Sequence, residues 1–401
     1  MAISQLYPNQ RPTLNLNFAR SKTLDPRITF TRNSTATYVG SDGLIKTAAA
    51  GEARFDHDGN GDCRGLLIEE SRTTLTLHSE DFTNAAWSHG QETLHSANQA
   101  VAPDGTTTAD LIYPNSTGYA RTLFQNYNNA NGTYTVSVFA KAAGKNFIYV
   151  YNAQGNAKAW FNLSNGTKGS ADATITDYGI VAYPNGWYRC DVRTDSTTAR
   201  YFYLGPADAD NSTEVTASGT NGIYVWGAQF EEGSFPTSYI PTSGSTVTRS
   251  ADVASMTGTN FSSWYNQSEG SWYVEAKCPV SPNNQWIWAL NPSGTGEDML
   301  YRGSTDALRS LARYRGDVFD TNDAPSGQFN KAILGYELTA QASSYFNTVS
   351  GIYSSISGNT GTPTSLAFGL TPGNSVLNGH ISRLAYYNTR LSDTALEALT
   401  L

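Results

Sequence analysis

The chain has 401 residues, a formal charge of −8 and only 15% charged residues. That balance excludes a nucleic-acid surface, because phosphate binding needs clustered Lys and Arg and no basic run occurs. Its length exceeds one ordinary core. With 24 Tyr, 8 Trp and 36 Gly, it suits an all-β chain of two or more domains whose short strands are joined by polar turns.

Residues 1–26 are polar and spaced by Pro8, Pro12 and Pro26, with one strand-like piece, Leu14-Asn15-Leu16-Asn17-Phe18. They read as an extended arm, either for attachment or as an extra edge strand packing on the first sandwich. No charged stretch followed by an apolar core marks a secretory signal, and no run of 18 apolar residues marks a membrane span. The expectation is therefore synthesis in a cytosol without membrane insertion.

The stretch 30–70 reads as strand, turn, strand, loop, strand. Thr29-Phe30-Thr31 are β-formers, Ser41-Asp42-Gly43 marks a turn, and Gly65-Leu66-Leu67-Ile68 has the apolar run of a buried strand. Three short strands bury too little surface to fold alone, so Leu66, Leu67 and Ile68 are expected to dock on the unit that follows. The loop 56–62 places Asp56, Asp58, Asn60 and Asp62 at alternate positions, as in a calcium-binding EF-hand loop, with Gly61 sixth. The twelfth position is Leu67 where a bidentate Glu would sit, and no helix pattern flanks the loop. An Asx-rich turn is the simpler reading, and the four residues stand as candidate ligands of a structural calcium. The wording from Arg27 to Leu75, F-T-R-x-S-x-A-T-Y-V through A-R-F-D-x-D to G-L-L-I-E-E-S-R-T, resembles a segment of bacteriophage and prophage virion proteins, mostly tail-associated. That resemblance implies a lead-in, 27–76, to a carbohydrate-binding type of sandwich.

From 77 to 250, strand-like runs at 109–113, 132–141, 146–152, 159–163, 171–177, 179–183, 187–192, 200–204 and 222–230 recur about every ten residues, the signature of a sandwich or jelly roll. The opening S-E-D-F…W, the strand Y-T-V-S-V-F-A-K-A and the closing G-W-Y-R-C-D-V and I-Y-V-W-G-A-Q-F-E-E-G resemble jelly-roll carbohydrate-binding modules. The resemblance implies a structural calcium near the first and last strands, where Glu80, Asp81 and Glu231 are the nearest oxygen donors. The ending F-P-T-S-Y-I-P-T-S-G-S-T-V-T-R-S-A-D-V is again worded as in phage tail proteins. Residues 251–262 read as a linker. In 263–401, strands at 270–277, 286–290, 307–314, 328–337, 343–349, 365–369 and 378–387 precede L-N-G-H-I-S-R-L-A-Y-Y…L-S-D-T-A-L. This resembles the closing strand and helix of laminin-G/concanavalin-A-like sandwiches, with Ser392 as N-cap and Asp393 in the first turn. The expected fold is two β-sandwich (jelly-roll) domains in tandem behind an N-terminal arm.

Catalytic signatures are lacking. No E-x-D-x-x-E, G-x-S-x-G, HExxH or Walker loop occurs, and Glu69-Glu70 and Glu231-Glu232 are adjacent, so on a strand they point to opposite faces. Three scattered cysteines, Cys63, Cys190 and Cys278, read as free thiols. Aromatics are the other source of chemistry, since a flat ring stacks on the C–H face of a sugar. Tyr149/Tyr151, Tyr201/Tyr203 and Trp286/Trp288 are spaced by two, each pair on one strand face. Trp226 and Trp272 sit in apolar runs and read as core. The candidate sugar platforms are Trp160, Tyr203 and Trp286, with Asn156, Asn162, Asp208, Asp210, Asn283 and Gln285 as hydroxyl partners. The functional expectation is a non-catalytic virion protein of the tail fibre or appendage type. It would associate with other virion proteins and with itself, as a trimer, and bind host surface glycan. The alternative is a head decoration protein with a structural role, and a glycan-degrading enzyme is the more remote reading.

Overall fold

A computed structural model describes residues 10–89, 93–119, 123–127, 131–152, 158–196, 200–279, 285–290, 299–302, 310–314, 317–321, 330–337, 341–346, 349–353, 362–369 and 376–401. Strands dominate, as the alternating sequence dictates. In Gly132–Ala143 the side chains of Tyr134, Val136, Val138 and Ala140 point into one core, while Phe139 on the other face enters a second cluster.

The first sandwich has two facing sheets. One runs, in spatial order, Asp177–Tyr183, Trp187–Ser196, Gly132–Ala143, Gly222–Glu232, Ala109–Pro114, Thr93–Ala100. The other runs Thr167–Ala171, Lys158–Asn162, Phe147–Asn152, Arg200–Ala207, Leu123–Tyr127, Ser88–His89. Ile148, Val150, Phe161, Phe202, Leu204, Val136 and Phe230 close the space between them. The second sandwich has one sheet ordered Val349–Tyr353, Gln341–Phe346, Asn330–Glu337, Glu269–Lys277, Gly379–Tyr387, Cys63–Ile68, Phe55–His57. Its other sheet is ordered Thr29–Thr31, Val253–Thr257, Ser365–Phe368, Gln285–Leu290, Met299–Arg302, Ser310–Tyr314, Asp317–Thr321. The stacked rings of Trp272 and Trp288, 4.3 Å apart, lie at its centre. Ser392 caps the helix Asp393–Thr400 by accepting from the Ala395 amide, and Trp226 and Trp272 are both core, as their apolar settings predict.

All-β sandwich architecture holds, but the two sandwiches are nested rather than in tandem. Leu14–Asn17 pairs with Gly379–Tyr387, so residues 14–18 are a strand and core of the second sandwich instead of a detached arm. Thr29–Thr31 pairs with Val253–Thr257, which places a strand where a linker was expected. The lead-in docks on the second sandwich, not on the unit that follows it. Leu66 pairs with Ile381, and Ile68 with Gly379, and both side chains join that core. Leu67, one residue out of phase, faces the first sandwich instead. The physical reason is pairing: the edge of Gly379–Tyr387 left open beside Leu14–Asn17 offers Leu66, Leu67 and Ile68 ladder partners that local sequence cannot reveal. The first sandwich is thus an insertion. The chain enters through Arg72–Thr74 and leaves through Val247–Arg249, and these two strands pair, Arg72 opposite Arg249.

At this neck the motif residues of both segments form one buried ion network. Asp252 accepts from Arg32 Nη1 at 3.0 Å and from Arg54 Nη2 at 2.6 Å. Glu69 Oε2 lies 2.8 Å from Arg54 Nη1 and 3.5 Å from Arg249 Nη1, and Glu69 also accepts from the Ser238 amide and hydroxyl. The Glu69 and Asp252 backbones exchange contacts as well: Asp252 N–H donates to Glu69 C=O, and Glu69 N–H to the Asp252 carboxylate. Arg72 bonds Glu70 and the Glu232 carbonyl and lies over Phe235. Two glycines fit this crowding. A side chain at Gly65 (φ 105°) would meet the Ile381 carbonyl at 2.2 Å, and one at Gly233 (φ 135°) would meet the Arg72 guanidinium.

Burial opposes ionisation of Glu69, but Arg249, Arg54 and the Ser238 bonds outweigh it and hold its carboxyl far below its ordinary value of 4.5. A depressed carboxylate stabilises above the unfolded value and loses that contribution as pH falls. Stability should therefore drop as pH is lowered through and below about 4.5, read by denaturant titration at a series of pH values. At pH 7, Arg54→Met removes the cation shared by two buried carboxylates, leaving Asp252 to Arg32 and Glu69 to Arg249 and Ser238, and should cost about 3 kcal/mol of unfolding free energy in the same measurement.

Candidate functional site

The outward face of the six-stranded sheet in the first sandwich carries a continuous aromatic surface. Along Phe147–Asn152 the inward residues are Ile148 and Val150, which leaves Phe147, Tyr149 and Tyr151 outward. Along Arg200–Ala207, Phe202 and Leu204 point in, while Tyr201 and Tyr203 point out. Register brings these together: Tyr151 lies opposite Tyr203 on one side and Lys158 on the other, and Tyr203 lies opposite Phe124. The Phe124 and Tyr203 rings stack with centroids 4.7 Å apart, Tyr151 lies 4.9 Å and Tyr201 5.6 Å from Tyr203, and Lys158 Nζ sits 5.2 Å over Tyr151. All four rings are half-buried, and Asn126 beside them is exposed. Phenol hydroxyls, an ammonium and an amide thus rim an apolar surface of mutually tilted rings, whose exposed faces and edges suit a sugar ring with an apolar C–H face and polar edges.

The other half of this face is closed. Trp160 is 3% exposed and donates from Nε1 to the Ser212 carbonyl at 2.7 Å. It packs with Tyr149 and Ala207 under the segment 208–216. Asp208 pins that segment, accepting from Lys145 Nζ at 2.5 Å and the Thr216 amide at 2.7 Å, and Asp210 accepts from the Ser170 amide and hydroxyl. Burial raises the Asp208 carboxyl, but the bonds from Lys145 and Thr216 together outweigh it and hold the carboxyl below its ordinary value. Trp160 is therefore a buried anchor of the cover, not a stacking surface, and Asp208 is spent on the loop. Asn162 is spent likewise, accepting from the Ser164 amide and hydroxyl in an Asx turn. Tyr203 keeps its place on the open half. Phe124 was not expected, because its value comes from register opposite Tyr203 rather than from any local pattern.

In the second sandwich Trp286 is half-buried, Trp288 is fully buried, and Gln285 turns inward to donate to the Leu377 carbonyl at 3.0 Å. Asn156 and Asn283 lie outside the described residues.

The four candidate calcium ligands do not converge. Asp58 Oδ1 accepts from the Asn60 and Asp62 amides at 2.9 and 3.0 Å, closing the loop as an Asx turn. Asp56 points away, accepting from the Val39 amide and pairing with His380 Nε2 at 2.8 Å. Glu80 meets the Tyr239 hydroxyl, Asp81 caps its own turn through Thr83, and Glu231 binds Thr237 and Gln229. Among the described residues no group of three or more acidic, His or Cys side chains could hold a metal ion. Cys190 and Cys278 are buried and Cys63 half-buried, all as free thiols. No helix among the described residues is long and apolar enough to cross a membrane.

No family model matches the sequence, and no curated protein does. Solved structures similar in part include the CBM40 of a Ruminococcus gnavus IT-sialidase bound to alpha2,3 sialyllactose, 18% identical over 34% of this chain and 84% of that one, with a TM-score of 0.27. Domains LG4-5 of the mouse laminin alpha1 chain are 10% identical over 81% and 90%, with a TM-score of 0.24. A Trypanosoma rangeli sialidase in complex with sialic acid is 10% identical over 69% and 53%, with a TM-score of 0.29. Scores this low say nothing about ligand or activity.

Burial separates the roles of the aromatic residues. Trp160→Ala should cost about 3–5 kcal/mol of stability, whereas Tyr203→Ala should cost about 1–2 kcal/mol, both read by chemical denaturation.

Proposed function

We propose that the protein is a non-catalytic glycan-binding component whose platform is Phe124, Tyr151, Tyr201 and Tyr203. The observation that carries this reading is the half-open aromatic quartet with Lys158 and Asn126 at its rim. Unlike Trp160 and Tyr149 on the same face, which the segment 208–216 covers, these four rings stay half-open and contact one another. The wording of 27–75 and 235–253 resembles phage virion proteins, which supports placing the protein on a virion as a tail appendage contacting host surface glycan. A trimeric or other symmetric assembly suits that role, because one stacked ring supplies on the order of 1 kcal/mol and repeated sites multiply weak binding through effective concentration.

A glycan array probed with the intact protein tests this. A defined set of neutral glycans should bind, and Tyr203→Ala or Tyr151→Ala should weaken that binding about tenfold without loss of fold. Binding equal to wild type in both variants would refute the platform.

A further inference from the structure

A second concavity lies where the two sandwiches meet. It measures about 380 Å³, within the range of small-molecule sites, which favour domain interfaces. Its floor is the outward face of the second sandwich's sheet, its roof the outward face of the first sandwich's sheet, and the lead-in closes one side.

Two irregularities in the floor meet at this place. Asp56 pairs with Gly65 and His57 with Cys63, so Arg64 is the extra residue of a β-bulge. Glu275 pairs with Arg383 and Ala276 with Ile381, so Ser382 is the extra residue of a second bulge, beyond which Lys277 pairs with His380. Bulges re-aim side chains and are over-represented beside sites. Here Arg64 and Lys277, both half-buried, line the cleft together. Arg64 has neither a hydrogen bond nor a carboxylate partner among the described residues, and in the roof Arg189 Nε is buried with no hydrogen-bond acceptor.

The acids lining the cleft do not pair with Arg64. Asp56 is taken by Val39 and His380, and Glu69 by Arg54 and Ser238. Burial pushes Asp191 up to about 6, so it stays mostly ionised at neutral pH, and the charges facing it are those of Arg193 and Arg189 rather than Arg64. Burial first, and then Arg64 nearby, lower the Lys277 ammonium below its ordinary value, which marks two cations held close in a partly dry site. Leu67, Phe139, Val181 and Tyr183 supply apolar wall. A planar guanidinium offers a fork that matches a carboxylate.

We propose that this cleft is a ligand site separate from the aromatic platform, and that it takes the carboxylate of an acidic sugar residue through Arg64 and Lys277. The sugar part of this assignment rests on the glycan-binding reading; the carboxylate part rests on the cleft alone.

Isothermal titration of the full chain with glucuronate, glucose and inorganic phosphate tests it. Wild type should bind glucuronate saturably and glucose at least tenfold more weakly. Arg64→Gln should weaken glucuronate at least tenfold, Arg64→Lys should restore part of it, and Tyr203→Ala should leave it unchanged, with thermal melting confirming that each variant folds. No saturable glucuronate binding, or wild-type binding by Arg64→Gln, overturns the proposal. Loss of glucuronate binding in Tyr203→Ala with Arg64→Gln unaffected also overturns it, by moving the acid sugar to the platform. Phosphate binding as tight as glucuronate overturns the carboxylate assignment. Failure of the platform would show separately, as neutral-glycan binding indifferent to Tyr203.

Discussion

Everything in this chain hangs on the charges buried at the neck between the sandwiches. Arg32, Arg54 and Glu69 come from the lead-in and Arg249 and Asp252 from a stretch about 180 residues later, yet the three arginines share the two carboxylates. Removing such groups from water is costly; Arg32 and Arg54 recover part of it through hydrogen bonds to the carboxylates, while Arg249, buried 3.5 Å from Glu69 Oε2, makes no guanidinium hydrogen bond among the described residues. A network of this kind therefore tolerates one arrangement of its parts. Here that arrangement fixes where the chain leaves one sandwich and enters the other, because Glu69 and Arg72 stand at the entrance and Arg249 and Asp252 at the exit. Hydrophobic burial alone would not select it, since apolar contacts are non-directional.

From this constraint the functional geometry follows. With the neck fixed, the outward face of Gly132–Ala143 and its neighbours meets the lead-in hairpin, where Ile45 packs with Phe139, Trp187, Trp226 and Tyr239. The two outer sheet faces are held near each other but do not fuse, and the cleft lined by Arg64 and Lys277 is the space that remains. The aromatic platform sits on the opposite sheet of the first sandwich and does not take part in the neck. Binding on that face can thus vary without disturbing the join, which suits a scaffold whose sites are built on rigid strands.

Much of the fold was legible in the sequence because strands announce themselves locally. The strand at 132–141 and the helix capped at Ser392 fell where expected. What was not legible was partnership. Nothing local tells Leu14–Asn17 or Cys63–Ile68 that their ladder partner is Gly379–Tyr387, more than three hundred residues away. The quoted motif carried more than its wording suggested: F-T-R, A-R-F, L-I-E-E-S-R and T-R-S-A-D supply the arginines and acids of the neck. In the platform, spacing by two correctly paired Tyr201 with Tyr203, but Trp160 was misread. Its strand position is outward, as alternation requires, and only the segment 208–216 folding over it makes it core. The Asp56–Asp62 loop is the Asx-rich turn its composition suggested, and its residues do not converge as calcium ligands because backbone amides take Asp58, while Val39 and His380 take Asp56.

Hydrogen–deuterium exchange of the intact protein, resolved by peptide, addresses the central claim that the neck couples the two sandwiches. The account predicts that peptides spanning 66–74 and 247–254 exchange among the slowest in the chain, together, and at the rate of global unfolding. Rapid exchange in those two segments, with both sandwich interiors still protected, would contradict it.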